Sequence, residues 1–199
     1  MSDMNKINKF EGKRSENRGN SGNRDNRESR GNRDKREKRD FTREAPYAKD
    51  SYLSRVRVIA DYQFGKGAGA GLFPDDCEFK LSATKRVRYI LLGKELLATL
   101  RANDGRLTLS QTGAKRLCET LPAPAYRVIV KDEVGEFVAA GKNAMAKHVT
   151  FADPQIRGDD EVLVCNEKGE FLATGTAVLS AKEMAEFNYG VAVMVRKGN

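Results

Sequence analysis

The chain has no tryptophan, one histidine and three cysteines among its 199 residues. Each shortage excludes something. Cys77, Cys118 and Cys165 are widely spaced and form no CxxC, so the cysteine spacing of a zinc site is missing. An odd, scattered set fits a reducing cytoplasm, each thiol packing as a small apolar side chain. No apolar run approaches the ~20 residues that span a bilayer, and the N-terminus has no apolar signal core. The chain is therefore expected in the cytoplasm, away from membranes. His148, beside Val149, reads as a packed or surface residue, and no Ser or Cys nucleophile has a recognisable base partner. The carboxylates Asp75-Asp76 and Asp159-Asp160-Glu161 read as solvated turns. No catalytic residue, metal site or cofactor is expected.

What is abundant is charge. Lys and Arg number 36 against 28 Asp and Glu, a net of +8, which favours polyanionic partners. Residues 1–46 carry a net of +5 and the remaining 153 a net of +3. Glu11 to Asp40 contains no aliphatic, aromatic or sulfur-bearing residue. Such a segment cannot repay the entropy of ordering, so 1–46 is predicted to be a disordered basic tail. It is also repetitive: Gly22-Asn23-Arg24-Asp25 recurs as Gly31-Asn32-Arg33-Asp34. Arginines spaced by Gly and Asn can follow phosphates without reading sequence.

Residues 47–121 form a second unit. Arg55 to Phe64 reads as a strand or short helix. Gly65 to Gly71 is a turn entering a short helix near Ala68. It formally fits G-x-G-x-x-A, but a dinucleotide fold also requires a parallel βαβ unit and an acid about 20 residues later. Thr84-Lys85-Arg86 stands there instead. Lys85–Leu92, Glu95–Arg101 and Arg106–Leu109 read as antiparallel strands, turned at Gly93-Lys94 and Asn103-Asp104-Gly105. Gln111–Glu119 reads as a helix capped by Ser110 and closed by Pro122 and Pro124. Leu121 to Ala125 is a stiff linker.

Residues 126–198 form the third unit. Arg127–Val130 is a β-branched strand. Asp132–Val138 makes two helical turns that Gly141 stops. A mixed stretch, Asn143–Asp153, leads to the Pro154–Asp159 turn. Glu161–Asn166 and Glu170–Leu179 make a hairpin at Lys168-Gly169. Ser180-Ala181-Lys182-Glu183 is a capping-box pattern that starts a short helix. Val191–Arg196 is the last strand.

This order resembles the PUA domain, which binds structured RNA. The likeness rests on Glu136-Phe137-Val138, Gly141-Lys142, Ala146-Lys147-His148-Val149, Ile156-Arg157-Gly158-Asp159, Leu172-Ala173-Thr174-Gly175, Leu179-Ser180 and Gly190-Val191-Ala192-Val193. The middle unit is similar to the region before the PUA domain in archaeal tRNA-guanine transglycosylase, the archaeosine enzyme. There the likeness rests on Ala60-Asp61-Tyr62-Gln63-Phe64-Gly65, Leu72-Phe73, Lys85-Arg86-Val87-Arg88, Leu97-Ala98-Thr99-Leu100-Arg101, Asp104-Gly105 and Gly113-Ala114. It runs from about Val56 to Lys197, and the enzyme's catalytic TIM barrel has no counterpart. The implied fold class is α+β: a small antiparallel α+β domain, then a PUA-type β-barrel, behind the tail.

The resemblance places an RNA groove on the first helix of the PUA domain, the following strand and the final strand. Carried over, Gly141, Lys142, Ala144 and Lys147 line it, with Arg196 across from them and Arg157 and Lys197 contributing charge. Glycine and alanine let an RNA backbone approach, and lysines neutralise phosphates without reading bases. Few aromatics argues against sequence-specific single-strand reading. The implied function is a non-catalytic tRNA-binding protein, serving a separately encoded transglycosylase. Two rivals remain open: a PUA-type RNA-binding module in translation or ribosome assembly, and a protein-interaction subunit with a vestigial groove.

Deleting residues 1–46 is expected to leave the thermal melting of the remainder unchanged while weakening RNA binding and flattening its salt dependence. A 40-residue flexible segment spans roughly 35 Å root-mean-square, beyond one small domain's footprint. Equal affinity with and without the tail at low salt would show that it only solvates.

Overall fold

A computed structural model describes residues 46–198. The expected tail lies outside the described residues, Pro46 apart. Pro46 opens α1 (Pro46–Phe64), a 19-residue helix. Leu53, Val56, Ala60 and Phe64 are buried at helical spacing. The sequence left Arg55–Phe64 between strand and helix because Val58 and Tyr62, apolar too, sit on the solvent face. A turn leads to α2 (Ala68–Leu72), which folds back on α1. The Gly69 N–H donates to Asp61 Oδ1 at 2.7 Å. A Cβ on Gly69 would lie 2.3 Å from the Arg57 carbonyl oxygen. The glycine-alanine stretch therefore serves helix-on-helix packing.

The strands β1 (Glu78–Leu81), β2 (Val87–Leu92), β3 (Glu95–Leu100) and β4 (Leu107–Leu109) form an antiparallel sheet in that order. β1, which the sequence pattern did not announce, is an edge strand with only half-buried apolar residues. α3 (Gln111–Thr120) starts at Ser110, whose Oγ accepts the Gly113 N–H. It packs on β3 so closely that a Cβ on Gly113 would meet the Leu97 carbonyl at 2.1 Å. The Gln63 side chain closes the rim of β4, donating to the Leu107 carbonyl at 2.9 Å and accepting its N–H at 2.7 Å.

The third unit builds a nearly closed sheet ordered β6-β10-β9-β8-β5-β7. Its strands are β5 (Arg127–Val130), β6 (Ala144–Met145), β7 (Val149–Ala152), β8 (Glu161–Asn166), β9 (Phe171–Ala177) and β10 (Val191–Gly198). Only β5 and β8 pair in parallel. α4 (Gly135–Ala139) and α5 (Ala181–Glu186) complete it, α5 behind the full Ser180–Glu183 capping box. The mixed stretch Asn143–Asp153 becomes β6, a 3₁₀ turn at Ala146–His148, and β7. β6 has two residues and β7 leaves Phe151 exposed, so neither carried an alternating signal. No helix among the described residues is long and apolar enough to cross a membrane.

β8 joins the two cores. All six of its residues are buried. Val162 and Val164 pack inside the curved sheet with Val128, Val130 and Ala173. Leu163, on the other face, belongs to the first core with Phe64, Leu97 and Leu117. Cys165 lies against Cys118 of α3, two thiols that the sequence pattern presents as separate apolar residues. Hydrogen bonding from Cys165 and the nearby Arg127 guanidinium hold the Cys118 thiol down to about 6, while Cys165 stays protonated as the donor, pushed up by that bond and by burial. Arg127 donates to the carbonyls of Cys118 at 2.6 Å and Leu121 at 2.9 Å. A cation at the C-terminal end of α3 is favourable to its dipole.

Glu161 opens β8 with its side chain only 6% exposed. Its Oε1 accepts the Leu109 N–H of β4 at 3.0 Å, the Thr174 hydroxyl at 3.3 Å and Arg196 Nη1 at 2.6 Å; its Oε2 accepts Arg196 Nη2 at 2.9 Å. Replacing Glu161 with Ala leaves the Leu109 N–H unsatisfied and Arg196 without its carboxylate. Breaking a buried pair costs about 3–5 kcal/mol. Arg196 is partly hydrated, so a loss of about 2–3 kcal/mol is expected on urea unfolding. Glu161→Gln should lose less, since its oxygen still accepts from Leu109. Equal losses for the two variants would show that these hydrogen bonds contribute nothing.

Candidate nucleic-acid interface

The site is built where α4 ends. Gly141 adopts φ +87, a left-handed conformation that glycine takes without penalty. The Gly141 N–H donates to the Val138 carbonyl and the Lys142 N–H to the Phe137 carbonyl, closing the last turn. The chain then turns alongside β10. Asn143 Oδ1 accepts the Val195 N–H at 3.0 Å. Ala144 pairs with Val193 and Met145 with Val191. The Ala146 N–H donates to the Gly190 carbonyl at 3.0 Å. At the far end, Gly198 lies so close to α4 that a Cβ there would sit 1.7 Å from the Ala139 carbonyl oxygen. Residues 141–146 are thus pinned by backbone bonds and small side chains along the final strand.

Within this frame Gly141, Lys142, Asn143 and Lys147 are exposed, as is Lys197 on β10. Among the described residues none of these three lysines forms an ion pair. Ala144 is buried in the second core, backbone included, so it offers a ligand no surface of its own. Lys142, Ala144, Lys147 and Lys197 are brought to one edge.

Arg196 departs from its expected place. Its guanidinium reaches over β9 to Thr176 and Glu161, on the side of β10 away from β6. The reason is electrostatic: Glu161 is a buried carboxylate and needs a cation. Arg157 is also elsewhere. It sits on the turn after β7, its N–H bonded to Asp160 Oδ2, in a loop that holds the end of β9 and the start of α5.

Two exposed apolar residues flank the edge unannounced. Phe137 on α4 is 63% exposed and Met194 on β10 is 58% exposed. In the sequence both sit among apolar neighbours. The signal separating them is the glycine stop at the end of α4, where Val138, not Phe137, faces inward. His148 lies in the 3₁₀ turn with Nδ1 3.6 Å from Glu133 Oε1. Among the described residues no group of three or more His, Cys, Asp or Glu is placed to hold a metal ion. The edge is suited to a polyanion's backbone.

Comparison with known proteins bears on the order of the two domains. Residues 54–124 match the family model described as the patch-forming domain C2 of tRNA-guanine transglycosylase, and residues 126–198 match the PUA domain. The tRNA-guanine(15) transglycosylase of Methanothermobacter thermautotrophicus is 48% identical over 147 residues, 73% of this chain and 22% of the relative. That of Pyrococcus furiosus is 47% identical over 159 residues, 80% of this chain and 27% of the relative. The chain thus spans about a quarter of the length of these curated relatives, in their C-terminal region. A hypothetical protein from Pyrococcus horikoshii shares the fold with a TM-score of 0.59 at 24% identity, covering 74% of this chain and 90% of that one. A conserved PUA domain protein from Thermoplasma acidophilum does so at 0.53 and 20%, covering 75% and 89%. Residues 54–198 therefore match, in order, the C2 domain of tRNA-guanine transglycosylase and the PUA domain.

Proposed function

We propose that this chain grips tRNA along the β6–β10 edge and acts as the RNA-binding subunit of a tRNA-guanine transglycosylase whose catalytic barrel is a separate polypeptide. The observation that carries the reading is the pinned 141–146 segment, which presents Lys142, Lys147 and Lys197 without partner carboxylates among the described residues, beside small side chains. Rigid backbone with exposed lysines suits phosphates, which position an RNA without identifying its bases. Gly141, exposed and without a side chain, leaves room for that backbone. The naming of the curated relatives supports tRNA as the ligand class. No chemistry is assigned to this chain: the groups at its edge bind and orient.

Purified alone, the chain is expected to incorporate no labelled guanine into unmodified tRNA. Mixed with a transglycosylase catalytic barrel it should raise that barrel's incorporation. Incorporation by the chain alone would sink the reading.

Replacing Lys142 and Lys147 together with Ala should lower the slope of log affinity against log salt by about 0.7 to 0.9 for each phosphate no longer neutralised. The weakening should be similar across different tRNAs. Stability should move by no more than roughly 0.5 kcal/mol, since both side chains are exposed. Lys168→Ala, on the β8–β9 turn, is the control. If it shifts binding as much as the double variant, charge acts generically and the edge is not the site.

A further inference from the structure

The four-stranded sheet of the C2 domain has a second basic surface. Its inner face, with Ile90, Ala98 and Leu109 in register, is buried in the first core. Its outer face carries Lys80 opposite Tyr89, Tyr89 opposite Thr99, and Thr99 opposite Thr108. Partners across antiparallel strands share a face, so these four residues form one row over the sheet. Tyr89, in the row beside Lys80, is 41% exposed. The Arg88 guanidinium carbon stands 6.0 Å from its ring centre, held by a 3.1 Å bond from Nη1 to the Leu100 carbonyl.

The turn that joins β1 to β2 adds more charge. From Phe79 to Tyr89 the sequence contains Lys80, Lys85, Arg86 and Arg88 and no acid. Lys80, Lys85 and Arg86 are exposed, and among the described residues none of them forms an ion pair. The turn is firmly built. The Ser82 N–H donates to the Arg86 carbonyl at 2.8 Å, the Lys85 N–H to the Ser82 carbonyl at 2.9 Å, and Ser82 Oγ bonds Thr84 Oγ1 and accepts the Arg86 N–H. Within it Lys85 is held at φ +58. L side chains seldom adopt that conformation, and glycine takes it freely. Lys85 occupies this conformation with its side chain exposed.

We infer that this end of the sheet is a second RNA-contacting site, in which Lys80, Lys85 and Arg86 neutralise phosphates and Tyr89, with Arg88 beside it, stacks on an unpaired nucleobase. The ligand class follows from the chemistry: exposed cations beside an aromatic face match a polyanion that carries π-faces. The inference rests on the RNA-binding reading but occupies a different domain. The protein then holds one RNA at two places, the C2 sheet and the β6–β10 edge.

The test uses the full chain and two probes, unmodified tRNA and a blunt RNA duplex with no unpaired base. Lys85→Gly combined with Arg86→Ala should lower the salt slope for both probes by about 0.7 to 0.9 for each phosphate no longer neutralised. Its melting temperature should not fall, because glycine relieves the left-handed residue. Tyr89→Leu should weaken tRNA binding roughly 5- to 150-fold, the range for removing one stacked base, and spare the duplex. Lys94→Ala, at the opposite end of the same sheet, should change neither. Wild-type behaviour of the turn variant, or equal shifts for it and Lys94→Ala, overturns the site. Equal weakening of both probes by Tyr89→Leu overturns the stacking. The Lys142 and Lys147 double variant is measured alongside. If it alone loses affinity, the edge reading stands and this inference falls. If only the turn variants lose affinity, this site stands and the edge reading falls.

Discussion

One buried carboxylate organises the molecule. Glu161 begins the strand that both cores share, and its oxygens are met by a backbone N–H from β4, a hydroxyl from β9 and a guanidinium from β10. A carboxylate this enclosed is tolerable only with a cation and donors around it. Satisfying it therefore brings three strands from two domains into one arrangement. Arg127, buried at the start of β5, does the complementary task by collecting the carbonyls at the end of α3. Between these two charges, β8 is covered on both faces. The C2 and PUA domains accordingly form one compact unit.

That rigidity explains what the candidate edge is made of. β6 has two residues, too few to hold itself. It is held instead by the Asn143 side chain, by two register pairs with β10 and by the close approach of Gly198 to α4. Those bonds consume the backbone polarity and leave the lysines outward. The exchange also accounts for Arg196: a cation on β10 that satisfies Glu161 has its charge compensated within the protein. Positive residues near one another in the chain thus separate into a structural one and a set available to a ligand. The same division runs through the C2 sheet, where Arg101 is paired with Asp104 and Arg106 with Asp160, while Lys80, Lys85 and Arg86 are not paired among the described residues.

The family match covers about a quarter of the relatives' length. The region shared with the transglycosylases carries exposed lysines that form no ion pair among the described residues. Cys118 and Cys165 face each other across the domain junction, where the hydrogen bond from Cys165, and after it the Arg127 guanidinium, favours the thiolate of Cys118. That is a consequence of packing two thiols and a buried cation together, and it lies at the junction rather than on either basic surface.

The sequence alone determined the elements whose cause is local. Ser110 and Ser180 cap their helices because a hydroxyl next to free backbone N–H groups needs no distant partner. Gly93 and Gly141 turn the chain because only their own backbone is involved. β5, β8 and β10 were legible from runs of β-branched residues. The α+β class followed from these, and the PUA order was legible as a resemblance carried by motifs such as Gly141-Lys142 and Gly190-Val191-Ala192-Val193. Local pattern did not reach α1's full length, β1, β6 or β7, since solvent-facing apolar residues blurred the first and the others are short or half-buried edge strands. The candidate site divided in the same way. Lys142 and Lys147 stand next to a helix stop that the sequence announces, whereas the fate of Arg196 depended on a glutamate 35 positions earlier in the chain. The exposure of Phe137 and the partners of Arg196 and Cys118 are set by neighbours that only folding supplies. Which charges stay free for a ligand was decided by the tertiary structure, because a buried carboxylate takes its cation from whichever strand passes beside it.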